Sequence, residues 1–225
     1  MLRAVVFDFD GVIANSEPLH YRGFRDILGR AGIELSERDY YTRYLGFDDA
    51  GVFRAVATDR GIEWPDERIA ELVAAKAVVL ERLEEGSSLL FPGAEEAVRR
   101  TAASVPLAIA SGALGDEIRR ILDRVSLTAC FSAIVAAEDT AVSKPAPDPY
   151  LRAVQLLADT LQEPLAPADC VAIEDSPWGL RSARAAGLRT IAVAHTYDPT
   201  ALDADLVIAS LDELDVEAMR RLCGV

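Results

Sequence analysis

The sequence predicts an α/β fold, a Rossmann-like parallel sheet with helices on both faces, interrupted by an inserted helical unit. Two observations carry this. Short aliphatic runs alternate with helical segments over residues 1 to 15 and again from about residue 92 onward, the pattern of a parallel sheet. From about residue 17 to 88, in contrast, the pattern is helical with no convincing strand. A third feature points at the location of chemistry: polar groups recur immediately after the apolar runs, at the strand ends where open α/β sheets bind ligands.

The predicted strands are Ala4 to Asp8, Leu107 to Ala110, Ala133 to Ala136, Val171 to Ile173, Thr190 to Val193 and Asp205 to Ile208. The first ends in Asp8-Phe9-Asp10-Gly11. In an extended chain positions 8 and 10 share a face, and two like charges there repel unless a cation joins them. A hard divalent ion held by carboxylates, water and substrate phosphate meets that need, although Asp and Gly are also ordinary turn residues.

The second strand ends in Ser111-Gly112, followed by a helical pattern through Ile118, Ile121, Leu122 and Val125. A hydroxyl and unpaired N–H groups at a strand-to-helix junction suit a phosphate, and they equally suit a plain N-cap serine. Lys144 lies in Ser143-Lys144-Pro145-Ala146-Pro147-Asp148, its backbone stiffened by proline. There it can bring a compact positive charge between a carboxylate and a phosphate, or be a solvated loop lysine. The fourth signal is Glu174-Asp175-Ser176-Pro177-Trp178-Gly179 after Cys170-Val171-Ala172-Ile173, with Ser176 as N-cap and Pro177 as N1. If these turns converge, Asp8, Asp10, Glu174 and Asp175 form an acidic pocket that a cation stabilises.

In these four motifs, in this order, the chain resembles the haloacid dehalogenase superfamily hydrolases of the phosphoglycolate phosphatase and beta-phosphoglucomutase branch. The first family motif is matched by Asp8-Phe9-Asp10-Gly11-Val12 with Ser16, the second by Ser111-Gly112, the third by Lys144 and the fourth by Glu174-Asp175-Ser176. The resemblance implies a magnesium-dependent phosphatase that hydrolyses a small phosphorylated metabolite, phosphoglycolate or a sugar phosphate, through an aspartyl-phosphate. Asp8 would be the nucleophile and Asp10 the general acid and base. Ser111, Gly112 and Lys144 would hold the phosphoryl oxygens. Asp8, Asp10 (through its backbone carbonyl) and Asp175 would bind Mg2+, with Glu174 ligating directly or through water.

The resemblance also implies the parts: a Rossmannoid catalytic core of residues 1–16 and 89–225, and a helical cap of 17–88 with hinges near Asn15 to Pro18 and Ser87 to Gly93. The expected cap helices are Pro18 to Ala31, Ser36 to Tyr44, Asp48 to Arg60 and Pro65 to Glu85. Among cap residues with polar or aromatic reach, Tyr41, Tyr44 and Arg54 included, Lys76 and His20 lead as substrate contacts. Beta-phosphoglucomutases carry a basic residue after the glycine of the cap's substrate loop, where this chain has Gly46-Phe47-Asp48-Asp49. Acids there weaken the grip on a second phosphate, so hydrolysis is preferred to the mutase alternative. A phospho-accepting signalling domain is the reading from a different class, and it fits poorly because such receivers carry their acidic pair as adjacent residues.

Composition narrows the class further. A net charge of -14 leaves little basic surface for a nucleic-acid backbone. At 225 residues the chain can bury roughly 70–75% of its unfolded surface. Cys130, Cys170 and Cys223 are widely spaced, as expected of reduced thiols in a cytoplasmic protein. Asp8 and Asp10 interrupt the first apolar stretch, and no run reaches the roughly 18 apolar residues of a membrane span. A monomer or weak dimer without membrane or nucleic-acid partners is expected.

Overall fold

The computed structural model describes residues 1–45, 47–85 and 89–224. It divides into two compact units, Met1–Asn15 with Leu90–Val225, and Ser16–Leu89. Gly46 of the expected substrate loop, Gly86, Ser87 and Ser88 at the expected second hinge, and Val225 lie outside the described residues.

The first unit is built on a six-stranded parallel sheet of order β3-β2-β1-β4-β5-β6, formed by β1 (Ala4–Phe7), β2 (Leu107–Ala110), β3 (Phe131–Val135), β4 (Cys170–Glu174), β5 (Arg189–Val193) and β6 (Leu206–Ile208). The doubly wound α/β class is therefore the observed one. Strands β1, β2 and β4 are buried along their whole length, as expected of strands covered on both faces. Ala4 and Val6 pack with Ala108, Ala110 and Tyr150 in one core. The alternate residue Phe7 meets Phe131 edge-on at 6.3 Å. The helices crossing between strands are α5 (Ala94–Ala102), α6 (Gly115–Arg124), α7 (Asp148–Leu161) and α8 (Pro177–Ala185), before the final α9 (Val216–Leu222). Val154 and Leu157 of α7 and Ala183 of α8 belong to the Tyr150 core; right-handed crossovers put α5 and α6 on the opposite face.

The second unit holds α1 (Glu17–Arg30), the single turn α2 (Glu37–Asp39), α3 (Asp49–Asp59) and α4 (Asp66–Glu84). Phe24, Ile27, Tyr40, Phe53, Val56 and Leu72 form its core, with Phe24 and Phe53 5.2 Å apart. Asp48 caps α3 by accepting from the Gly51 N–H at 2.7 Å. The expected single helix from Ser36 to Tyr44 is a correction: after α2 the chain widens to a π-helical turn over Tyr40–Tyr44. Tyr40, Tyr41 and Tyr44 all carry rings there, and Tyr40 packs on both Phe24 and Tyr21. Side-chain packing overrides the 3.6-residue repeat at such a place.

Two expectations at the strand ends also change. The first strand stops at Phe7, one residue short of Asp8, and Asp10 lies in an isolated bridge with Ala14, so the two aspartates do not share a strand face. Gly11 turns the chain at φ +76°, a conformation that glycine alone adopts without strain. Ser111 is not an N-cap either, since α6 begins at Gly115 with Leu114 at the cap position. Ser176 and Pro177 stand as expected, with Ser176 Oγ accepting from Gly179 N–H at 3.1 Å.

Candidate active site

The strand order reverses on either side of β1, and β1 pairs with both β2 and β4. Such a switch point leaves a crevice beyond the C-terminal ends of the strands. Registers Phe7↔Ile109 and Phe7↔Ile173 deliver Asp8, Ser111 and Glu174 to that edge side by side. The Asp8 N–H donates to Ile173 O at 2.9 Å, and the Ser111 N–H to Val135 O at 3.0 Å, so neighbouring strands fix both residues.

Lys144, on the loop after β3, joins two of the acids. Its Nζ lies 2.9 Å from Asp8 Oδ1 and 2.6 Å from Glu174 Oε1, and it sits 5.1 Å from the Tyr150 ring centroid. The Tyr150 hydroxyl donates to the same Glu174 oxygen at 2.7 Å. The other Glu174 oxygen accepts from the Asp175 N–H at 3.2 Å and the Ser176 hydroxyl at 3.2 Å. Glu174 is thus fully buried with both oxygens partnered. Gly179 makes this possible, because a Cβ at that position would fall 1.8 Å from Glu174 Oε1.

Asp8, Glu174 and Asp175 each offer a carboxylate oxygen, all within 4.8 Å of one another, and all three residues are buried. One ammonium faces three acids. Burial first, then the Glu174 charge, holds Asp8 well above the usual carboxylate range, despite the opposing pull of Lys144. Burial and Glu174 likewise push Asp175 up to about 7. For Lys144 burial works against the charged form, yet Asp8 and Glu174 together outweigh it and raise the ammonium above its ordinary value. Such a set of hard oxygen donors with surplus negative charge fits a small divalent cation, Mg2+ among them. The Asp10 carboxylate is outside this trio, though its charge reaches Asp175.

Ser111 is buried and its Oγ accepts from the Ala113 N–H at 3.0 Å, while Gly112 is exposed with open space around it. In the helical unit, Lys76 Nζ lies 2.7 Å from Asp49 Oδ1 and 2.9 Å from His20 Nδ1, so the two leading candidates of that unit share one ion-paired group. Arg54 pairs with Asp66, and the Tyr44 hydroxyl donates to Asp59.

Three residues beside the site carry no signal of their own in the sequence. Tyr150 closes the proline-rich run after Lys144 and belongs to none of the four motifs. His195 and Thr196 follow β5, with His195 Nδ1 3.0 Å from Gly11 O and Thr196 hydrogen-bonded to the Asp175 carboxylate. The apolar run before them marked only a strand.

A family model described as hydrolase, haloacid dehalogenase-like hydrolase, matches residues 2–187. Protein CbbY of Rhodobacter capsulatus is 34% identical over 203 residues, covering 87% of each chain. Hexitol phosphatase B of Escherichia coli strain K12 is 32% identical, over 94% of this chain and 93% of its own. A crystal structure of CbbY from Rhodobacter sphaeroides in complex with phosphate superposes with a TM-score of 0.81 at 25% identity, covering 98% of this chain and all of that one.

Proposed function

The chain belongs to the haloacid dehalogenase-like hydrolases and is a phosphatase of that family, and we propose that it is a magnesium-dependent phosphatase acting on a small sugar or sugar-alcohol phosphate. The observation that carries this reading is Lys144 spanning Asp8 and Glu174 at the ends of the central strands, beside Asp175.

In this reading an Asp8 carboxylate oxygen attacks phosphorus as the bond from phosphorus to the ester oxygen breaks. Asp10 gives its proton to the departing oxygen, releasing the alcohol. The Asp10 carboxylate then takes a proton from water, whose oxygen attacks phosphorus while the bond to Asp8 breaks and inorganic phosphate leaves. That Asp10 stands outside the carboxylate trio supports this role, since a group engaged on a cation could not move a proton. Lys144 and Ser111, with Gly112 N–H, hold the phosphoryl oxygens, where positioning and electrostatics supply most of the rate. Mg2+ bound by Asp8, Asp175 and the Asp10 carbonyl would neutralise charge on the transferring group. Glu174, with both oxygens partnered, would act from behind by orienting Lys144 and the 175–176 backbone.

For the helical unit we assign substrate contact to His20 and Lys76. Of the acids after Gly46, Asp49 is ion-paired with Lys76, while Asp48 caps α3 and keeps its charge. Equally, Lys76 is itself buried and paired with Asp49, which withholds its charge from the remote phosphate of a mutase and supports hydrolysis.

The test is inorganic phosphate release with magnesium present, across hexitol phosphates, sugar phosphates, glycerol phosphates and phosphoglycolate, with Asp8→Asn as control. Release lost in Asp8→Asn supports the reading, and preference for phosphoglycolate would overturn the substrate class. Silence on every ester, with interconversion of glucose 1-phosphate and glucose 6-phosphate, would replace it by the mutase.

A further inference from the structure

We propose that His195 is a positioning residue for Asp10: it fixes the turn that carries the acid through a hydrogen bond to the Gly11 carbonyl. The proposal rests on the role given to Asp10 above and names a residue that the four motifs omit.

The Gly11 carbonyl can only accept, so His195 Nδ1 carries the proton of the 3.0 Å bond. Burial lowers the His195 pKa from its ordinary value, in keeping with a neutral ring in this tautomer. The ring is itself held, stacked on Phe91 with centroids 4.0 Å apart and planes 17° from parallel. Phe91 in turn donates its N–H to Ile13 O at 3.0 Å, and Leu90 bridges to Ala14. Gly11, His195, Phe91 and Ile13 therefore close a circuit around the segment that begins at Asp10.

The turn needs such a brace. Gly11 is at φ +76°, and without a Cβ its peptide can reorient at little cost. On one side it lies so close to Asp175 that a Cβ would fall 2.1 Å from Oδ2. That contact blocks movement toward Asp175 but not rotation of the carbonyl away from it. The Gly11 N–H is already held by Ala14 O at 3.0 Å, and the His195 bond adds the restraint on the carbonyl side of the same residue, next to Asp10. Thr196, next along the chain, reaches the Asp175 carboxylate, so the exit of β5 holds the turn after β1 and the acid after β4 together.

The experiment compares His195→Ala, His195→Asn and His195→Phe in the full chain. Asn presents an N–H near the place of Nδ1–H, whereas Phe keeps the stacking surface and loses the donor. Loss of the brace is expected to lower kcat about 10- to 100-fold in Ala and Phe, the scale of small misplacements of a catalytic group, with KM within about twofold. Asn should recover most of the loss. Equal recovery by Phe, or kcat within about twofold of wild type in Ala, overturns the proposal. The Gly11 carbonyl 13C shift and the amide linewidths of Asp10 to Ala14 are measured in parallel, without substrate. Wild type and Asn should share a downfield shift and sharp lines, while Ala and Phe show an upfield shift and broadening. These spectra decide the brace even for a protein that releases no phosphate, whereas failure of the phosphatase reading shows in the Asp8→Asn comparison alone. Should Ala fail to fold, the contrast between Asn and Phe still decides the question.

Discussion

Tyr150 donates its hydroxyl to Glu174 Oε1 at 2.7 Å, the same oxygen that receives Lys144 at 2.6 Å. A buried phenol and a buried ammonium thus converge on one carboxylate oxygen, and the Lys144 position depends on both acids it touches.

Tyr150→Phe removes that donor and leaves the ring in place. A hydrogen bond to a charged group contributes about 1.5–3 kcal/mol, so urea unfolding should show a loss in this range. Magnesium dependence of activity should shift to higher concentration, because Glu174 is less well anchored. Unchanged unfolding and unchanged metal dependence would remove Tyr150 from the site's support.

Lys144→Met leaves Asp8 and Glu174 buried without their cation. Breaking a buried pair in this way costs about 3–5 kcal/mol, and the loss should be greatest at pH 8, because Lys144 is what opposes the rise of the Asp8 pKa. Activity should fall at least 100-fold, the scale of a lost electrostatic donor. Denaturation of the metal-free variant at pH 8 within about 1 kcal/mol of wild type would contradict the pairing.

Without metal, Asp8 and Asp175 bind protons more tightly in the fold than in the unfolded chain. For Asp175 the raised value means that the stability it contributes is present below about pH 4 and lost as pH rises through about 7, and Asp8 acts in the same direction. His195, with its lowered value, acts in the opposite direction, so a variant comparison is needed. Asp175→Asn should be more stable than wild type at pH 8 in chelator, by on the order of 2–4 kcal/mol, and the difference should shrink toward pH 5. Added magnesium should stabilise wild type but much less the variant, since a ligand that binds only the fold stabilises by mass action. Parallel stability curves for the two proteins across this range would refute the assignment.

Gly179 and Gly112 offer a matched pair. An ordinary helical Gly→Ala change stabilises by about 0.5–1 kcal/mol. At Gly179 in α8 the sign should reverse, because the new Cβ would meet Glu174 at 1.8 Å. At Gly112 no atom lies within 4 Å, and Ala should leave the unfolding midpoint within about 0.5 kcal/mol. Equal effects at the two positions would show that Glu174 does not fill the space against α8.

The sheet and the acidic centre were legible because charge at the end of an apolar run is costly and therefore conspicuous. Asp8 and Glu174 stand out on that ground and Lys144 by the prolines beside it, and Lys144 lies 2.9 Å from Asp8 and 2.6 Å from Glu174. The helix caps at Ser176 and Asp48 follow local chemistry and were partly visible; only the former was assigned. Other features depend on contacts between distant segments. The π-helical turn at Tyr40–Tyr44 is set by rings packing on Phe24 and Tyr21, which no local repeat encodes. Ser111 looked like an N-cap because serine favours that position, yet the chain runs three residues further before α6 begins. His195 was one of two histidines without a motif, and its partner Gly11 lies 184 residues away.

The central position of β1 also has a bearing on how the protein is made. Val5 pairs with Val171, so β1 waits for a strand made 166 residues later before its second flank is covered. At about 5–20 residues per second, the intervening stretch takes on the order of 8–30 s to emerge. During that interval the Ala4–Phe7 segment is an exposed apolar edge, and such edges recruit other chains. Nascent-chain protection is therefore most needed before β4 appears, and a chain truncated ahead of it would lack both the second flank of β1 and the acids Glu174 and Asp175.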